Sequence, residues 1–236
     1  MGDRLATGIE GFDGLVQGGL PARTVNLVAG PAGSGKSLFG LHFCYNGARE
    51  FTEPAMYVVL EETKASLQRV MRTFGMGFED LERSERFLMI DLGELRVAGP
   101  DGSAVGFREL QDFLASSLKA ARVRRLVIDS LSAVGLHYAT AGEFRERLFA
   151  FSRFLRAQDV TTLLIAESPD AHSLTATGVE QFIADSLIHL GLEEVKGELR
   201  RTLTIRKMRF TKHDTAKHPM YITPTGLVVA ADEKVV

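Results

Sequence analysis

The stretch GPAGSGKS at residues 30–37 limits what this chain can fold into more than any other part of it. It satisfies G-x-x-x-x-G-K-[ST] and stands between an apolar run, TVNLVAG at 24–30, and a stretch of helical periodicity at 37–49. A strand that turns through glycines into a helix points backbone N–H groups inward at the positive end of the helix dipole, which makes a cradle for phosphate oxygens. Gly30, Gly33 and Gly35 let the backbone wrap the group, and Pro31, Ala32, Ser34 and Leu38 complete the loop and the turn that follows. Lys36 is placed to bridge the outer phosphates of a triphosphate, and the Ser37 hydroxyl to ligate Mg²⁺.

Further apolar runs, AMYVVL (55–60), FLMIDL (87–92), RRLVIDS (124–130) and TTLLIAE (161–167), alternate with stretches of helical spacing at 65–74, 107–123 and 143–158. Short continuous apolar runs suit strands buried on both faces of a parallel sheet. After about residue 185 helices give way to SLIHLGLEEV, RTLTIRKMR and MYITPTGLVV, which predict an antiparallel extension. The fold class is therefore α/β, with a mostly parallel central sheet, flanking helices and a C-terminal antiparallel addition. No long Pro/Ser linker or internal repeat divides the 236 residues, so one domain over 1–236 is expected.

Two strand ends carry acids. RRLVIDS closes on Asp129, which leaves an apolar strand where Mg²⁺, reached partly through water, is a natural partner. VVLEET closes on Glu61 and Glu62; one of them is suited to orient water against a γ-phosphate, and Glu61 is also a candidate Mg²⁺ contact. Adjacent strand residues point to opposite faces, so Glu62 stays open as the alternative, or as part of a helix cap with Thr63. Near the C-terminus, TIRKMRFTKH (204–213) sets Lys207, Arg209, Thr211 and His213 at alternate positions. Strand alternation would place them on one side together with Leu203 and Ile205.

Net charge is −2, which removes any whole-molecule case for nucleic acid or an anionic membrane. Cys44 is the only cysteine, which excludes an intrachain disulfide and fits a reducing, cytoplasmic setting. The first ten residues have no secretory pattern, and no apolar run reaches the length of a membrane span.

Taken in order, these motifs resemble the KaiC-like branch of the RecA superfamily of ATPases, over essentially the whole chain. TGIEGFDGLVQGGLP resembles the family's opening segment, and RRLVIDSLSAV its acidic strand. GVEQFIADSLIHL and GELRRTLTIRKMRFTKH resemble its C-terminal signature. The resemblance implies a homo-oligomeric ring, typically a hexamer, with Mg·ATP held between subunits. One subunit would supply Gly33, Gly35, Lys36, Ser37 and the glutamates, with Thr73 approaching the nucleotide. The neighbour would supply Lys207 and Arg209 near the γ-phosphate, with Met208, Thr211, His213 and Thr223 lining the nucleotide. The chain departs from the clock members of the family at Gln181 and Phe182, where an adjacent Ser-Thr pair would accept phosphate, so autophosphorylation there is not expected. Phe210 also stands where a glycine is usual.

A DNA-dependent, recombinase-like ATPase is the first rival. Its DNA-holding loops would fall at 130–143 and 167–181, and neither holds a Lys or Arg. His137 and Tyr138 offer rings for stacking, but without a basic groove. ARVRRL (121–126), the densest basic run, reads as a helix end. Asp170 and His172 share a loop and are too few for a metal site. The second rival is a slow nucleotide-dependent switch that presents a surface to a protein partner.

Overall fold

The apolar runs become the centre of a nine-stranded sheet ordered β11-β10-β9-β8-β3-β7-β6-β4-β5. The computed structural model describes residues 3–93, 106–135, 138–169, 173–176 and 178–235; His137, Asp170 and His172 lie outside them. The strands are β3 (Val25–Gly30), β4 (Ala55–Val59), β5 (Phe87–Asp91), β6 (Arg125–Asp129), β7 (Thr161–Glu167), β8 (Ser186–Val195), β9 (Glu198–Met208), β10 (Lys217–Thr223) and β11 (Gly226–Val229). A small pair, β1 (Arg4–Leu5) and β2 (Leu20–Pro21), stands apart from them.

β3 is paired in parallel on both sides, with β7 and with β8. Every residue of β3 is buried, as a strand covered on both faces requires. The C-terminal extension differs from the expectation in two ways. β8 is parallel to β3, because the chain leaving β7 returns to the opposite end of the sheet before pairing. MYITPTGLVV, expected as one strand, is a hairpin: β10 and β11 turn at Gly226, whose φ of +121° is open only to glycine. Antiparallel pairing begins at β8–β9.

Helices cover both faces. α1 (Phe12–Leu15), α2 (Lys36–Glu50), α3 (Lys64–Thr73) and α4 (Glu79–Arg83) pack on one side, where Phe12, Phe39, Phe43, Leu67 and Leu81 join one core. α5 (Phe107–Ala120), α6 (Leu131–Gly135), α7 (Ala141–Ala157) and the short α8 (Glu180–Ile183) pack on the other. The stripe Phe144, Leu148, Phe151 and Leu155 lies in that second core. α3 starts at Thr63, whose hydroxyl accepts from the Ser66 N–H at 3.2 Å.

Arg125, at the start of β6, is fully buried. Its guanidinium pairs with Glu53 at 2.5 Å and donates to the carbonyls of Ala6 (2.7 Å) and Phe43 (2.9 Å). It also lies 4.8 Å from the Phe43 ring centre and 5.4 Å from that of Phe51. Gly47 makes room for it, since a Cβ there would stand 2.2 Å from the arginine Cδ. One side chain thus ties the N-terminal segment, α2 and β6 together.

Candidate functional site

The loop after β3 leaves the middle of the sheet and enters α2 through two left-handed glycines, Gly33 (φ +78°) and Gly35 (φ +103°). Gly30 is glycine because β8 passes so close that a Cβ would lie 2.2 Å from the Leu190 carbonyl oxygen. A Cβ on Gly33 would meet nothing within 4 Å, so open space borders the loop there. The amides of Lys36, Ser37 and Leu38 precede the first helical bond, from Phe39 to Gly35, and have no partner within the helix. Ser34 Oγ is buried without a partner. Lys36 Nζ donates to the loop's own Pro31 carbonyl at 2.9 Å. Pro31 and Ala32 form the rim, while Leu38 is buried in the core below.

Carboxylates from three neighbouring strand ends converge on this lysine. Burial lowers the Lys36 pKa, and Glu167, Asp129 and Glu61 act against that, in decreasing order. Asp129 accepts from the Tyr57 hydroxyl at 2.6 Å, and Tyr57 and then the Ser37 side chain act to lower its pKa. Even so, burial leads the causes that raise its pKa, with Glu62 and then Glu61 adding to the rise. Glu61 accepts from Ser130 Oγ at 2.6 Å, whereas Glu62 accepts from Ser66 Oγ at 3.1 Å on the first turn of α3. The two glutamates lie past the end of β4, in a bend, and take different partners. Only Glu61 acts on Lys36, although Glu62 has the larger effect on Asp129.

Lys207 and Arg209 stand elsewhere. Lys207 pairs with Leu187, which is level with Leu27, so it stands three residues short of Gly30 along β3. The expected alternation also fails. A bulge between Leu187 and Ile188 leaves Arg206 as an extra residue in β9, and every side chain beyond it changes face. Leu203 and Ile205 lie in the core beside α2, and past the bulge Met208 occupies that face in place of Lys207. Lys207 Nζ instead donates to the Ala184 carbonyl at 2.6 Å, and burial lowers its pKa. Arg209, half exposed, lies 3.7 Å from Asp185. β9 ends at Met208, so Thr211 and His213 belong to the irregular segment after the Arg209–Phe210 turn and not to the strand. Phe210 adopts φ +61° there, the left-handed conformation expected of the family's glycine, and Arg4 donates to its carbonyl and to Thr211 Oγ1. His213 Nδ1 lies 3.3 Å from the Thr211 carbonyl.

Thr73 is spent on its own helix, donating to the Arg69 carbonyl at 3.0 Å. Thr223 closes the β10–β11 turn through the Gly226 carbonyl at 3.0 Å. That hairpin packs on the phosphate loop: a Cβ on Gly35 would touch Met220 and Leu227 at 3.6 and 3.7 Å. Three neighbours of the loop escaped the sequence reading. Glu167 is in register with Gly30 across β7–β3, Tyr57 holds Asp129, and Arg201 of β9 donates to the Gly33 carbonyl at 3.0 Å. Glu167 had a signal, an acid closing an apolar run, as for Asp129.

A glycine-rich loop between a central parallel strand and its helix, with an acid closing a nearby strand, defines a P-loop ATPase of the RecA type. The chain belongs to the KaiC family of ATPases: the family model "ATPase: KaiC" matches residues 5–234. It is 36% identical over 245 residues to a UPF0273 protein of Aeropyrum pernix, covering 100% of this chain and 96% of that one. It is 34% identical over 231 residues to the circadian clock oscillator protein KaiC of Parathermosynechococcus lividus, covering 94% of this chain but 41% of that protein. The crystal structure of a KaiC-like protein from Pyrococcus horikoshii superposes with a TM-score of 0.86 at 36% identity, covering 97% of this chain and 99% of that one. No helix among the described residues is long and apolar enough to cross a membrane.

Proposed function

We propose that the chain, acting as one domain over residues 1–236, binds Mg·ATP and hydrolyses it at the interfaces of a homo-oligomeric ring, in a regulatory or signalling role. The observation that carries this reading is the convergence of Lys36, Asp129, Glu61 and Glu167 beside the phosphate loop. The residues fit a nucleotide: Ser34 Oγ has no partner, Gly33 borders open space, and Lys36 is held only by a carbonyl that a phosphate can replace. They also fit Mg²⁺. Ser37, on the first turn of α2, and Asp129, at the end of β6, are hard oxygen donors near enough for the Ser37 side chain to act on the Asp129 pKa. The ion would rest on these two, with Glu61 reached through water, and would draw charge from the phosphate oxygens.

In this reading the loop amides and Lys36 hold the phosphates, and Glu61 orients the attacking water. Ser130 Oγ fixes the Glu61 carboxylate, and Tyr57 fixes that of Asp129. Lys207 and Arg209 serve the neighbour's nucleotide, stabilising charge as the γ-phosphate leaves. Their position favours action in trans. Lys207 stands level with Leu27, three residues from Gly30, a separation of about 10 Å along the strand axis.

The test is ATP turnover with and without single-stranded DNA, alongside the mass of the particle in solution. Turnover in a ring, indifferent to DNA, is expected. Stimulation by DNA would favour the recombinase-like reading, and tight ATP binding without turnover the switch. Arg209→Ala should keep ATP binding and lose turnover; unchanged turnover and assembly would remove the trans role.

A further inference from the structure

The face of the extension turned away from α2 carries a row of polar side chains. Ile188, Leu190, Leu203, Ile205 and Met220 fill the core on the α2 side, so the residues alternating with them project to the other. His189 on β8 pairs with Thr204 on β9, which pairs with Lys217 on β10. Three strands therefore present an imidazole, a hydroxyl and an ammonium side by side. In the adjacent row stands Gly191, where a Cβ would fall 2.4 Å from Thr202 Oγ1. Over these strands lies a hollow of about 270 Å³ lined by His189, Thr202, Thr204 and Lys217, and Arg206, Thr215 and Glu193 complete its walls.

The polar atoms of this hollow are incompletely matched. His189 is 8% exposed, and its Nε2 is buried without a partner, a state that native interiors rarely leave unanswered. Glu193 Oε1 engages Lys217 at 2.9 Å and Thr202 at 3.5 Å, so one carboxylate answers one of the two cations. Arg206, the bulge residue, makes no hydrogen bond or ion pair among the described residues. An excess positive charge thus stands over an orphaned ring nitrogen. Burial, then Arg206, lower the His189 pKa, with Glu193 opposing and Lys217 adding to the fall.

We propose that this hollow binds a small tetrahedral oxyanion of the phosphate or sulfate type. Arg206 and Lys217 neutralise it, the Thr204 and Thr215 hydroxyls donate to it, and His189 forms its floor. The volume lies below the range of about 300–1,000 Å³ usual for organic ligands, so it suits a single phosphoryl-sized group and not a whole nucleotide. His189 is level with Ala29, one residue before the phosphate loop, yet this pocket is built from β8, β9 and β10 and does not depend on the ATP reading.

The test follows the His189 ring nitrogens by NMR in the full chain, assigned with the His189→Gln variant, as sulfate replaces chloride at constant ionic strength. A saturable shift toward the imidazolium form is expected, because a bound anion favours the charged ring. Arg206 is exposed, so Arg206→Ala should fold normally and weaken binding at least about tenfold, as loss of a charge-assisted hydrogen bond implies. Sulfate bound at the phosphate loop would leave the His189 ring and its Arg206 dependence untouched. Inorganic phosphate and glycerol phosphate then identify the source: binding of phosphate alone marks a free ion, and binding of both a phosphomonoester end. A shift linear in sulfate, or one unchanged in Arg206→Ala, overturns the proposal.

Discussion

Arg125→Ala is expected to cost this protein about 4 kcal/mol of folding stability. The Ala6 carbonyl would lose a buried donor, worth about 1–3 kcal/mol when left unanswered, and the Phe43 carbonyl, still bonded within α2, would lose a second donor worth about 0.5–1.5 kcal/mol. Contact with two aromatic rings adds on the order of 1 kcal/mol. Glu53 is 26% exposed and regains water, so its loss falls short of the ~3–5 kcal/mol found when a fully buried pair is broken. For a chain of this length the sum lowers Tm by roughly 8–16 °C. Thermal and urea unfolding followed by circular dichroism would measure it. A double-mutant cycle with Glu53→Ala locates the cause: the second substitution should cost little once Arg125 is gone. A loss below about 1 kcal/mol, or strictly additive effects, would refute the role given to this guanidinium.

Asp129→Asn should stop Mg²⁺-dependent turnover and yet raise the Tm of the nucleotide-free protein at pH 7, read by thermal scan. The folded-state pKa of Asp129 is raised, so its ionised form opposes folding above that pKa, and removing the charge relieves the cost. His42 has the opposite sign. Burial depresses its pKa to about 4 while Nε2 accepts from the Leu227 N–H at 3.0 Å, so stability falls as pH drops from about 6.5 toward 4. The loss is on the order of 3 kcal/mol, and it should flatten in urea titrations of His42→Gln. Phe210→Gly removes a left-handed φ costing about 1–2 kcal/mol and brings some unfolded-state entropy, for a net gain of about 0.5–1 kcal/mol in chemical denaturation.

The phosphate loop was legible because its whole signal is local: strand, glycine spacing, lysine and helix fall within a few residues of one another. The ends of β4 and β6 were legible for the same reason, an apolar run closed by an acid. What escaped depends on which strands become neighbours. TTLLIAE carried the same signal, but only the pairing of β7 with β3 brings Glu167 to the loop. The face of Lys207 is set by a bulge against Leu187 and Ile188, twenty residues away in sequence, which no alternation count within 204–213 can register. ARVRRL read as a solvated helix end. Arg124 keeps to that surface with Asp159, while Arg125 is drawn inside by Glu53 and the space at Gly47.

The placement of β3 at the middle of the sheet has a kinetic consequence. Its amides are held in ladders on both sides under two covering cores, so their exchange with solvent requires opening of the whole unit. β5 and β11 lie at the sheet's two edges, where local fraying suffices for exchange. The glycine-rich loop is therefore anchored in a strand expected to be among the slowest-exchanging parts of the molecule. Its movements can be fast and local while the strand beneath it stays closed.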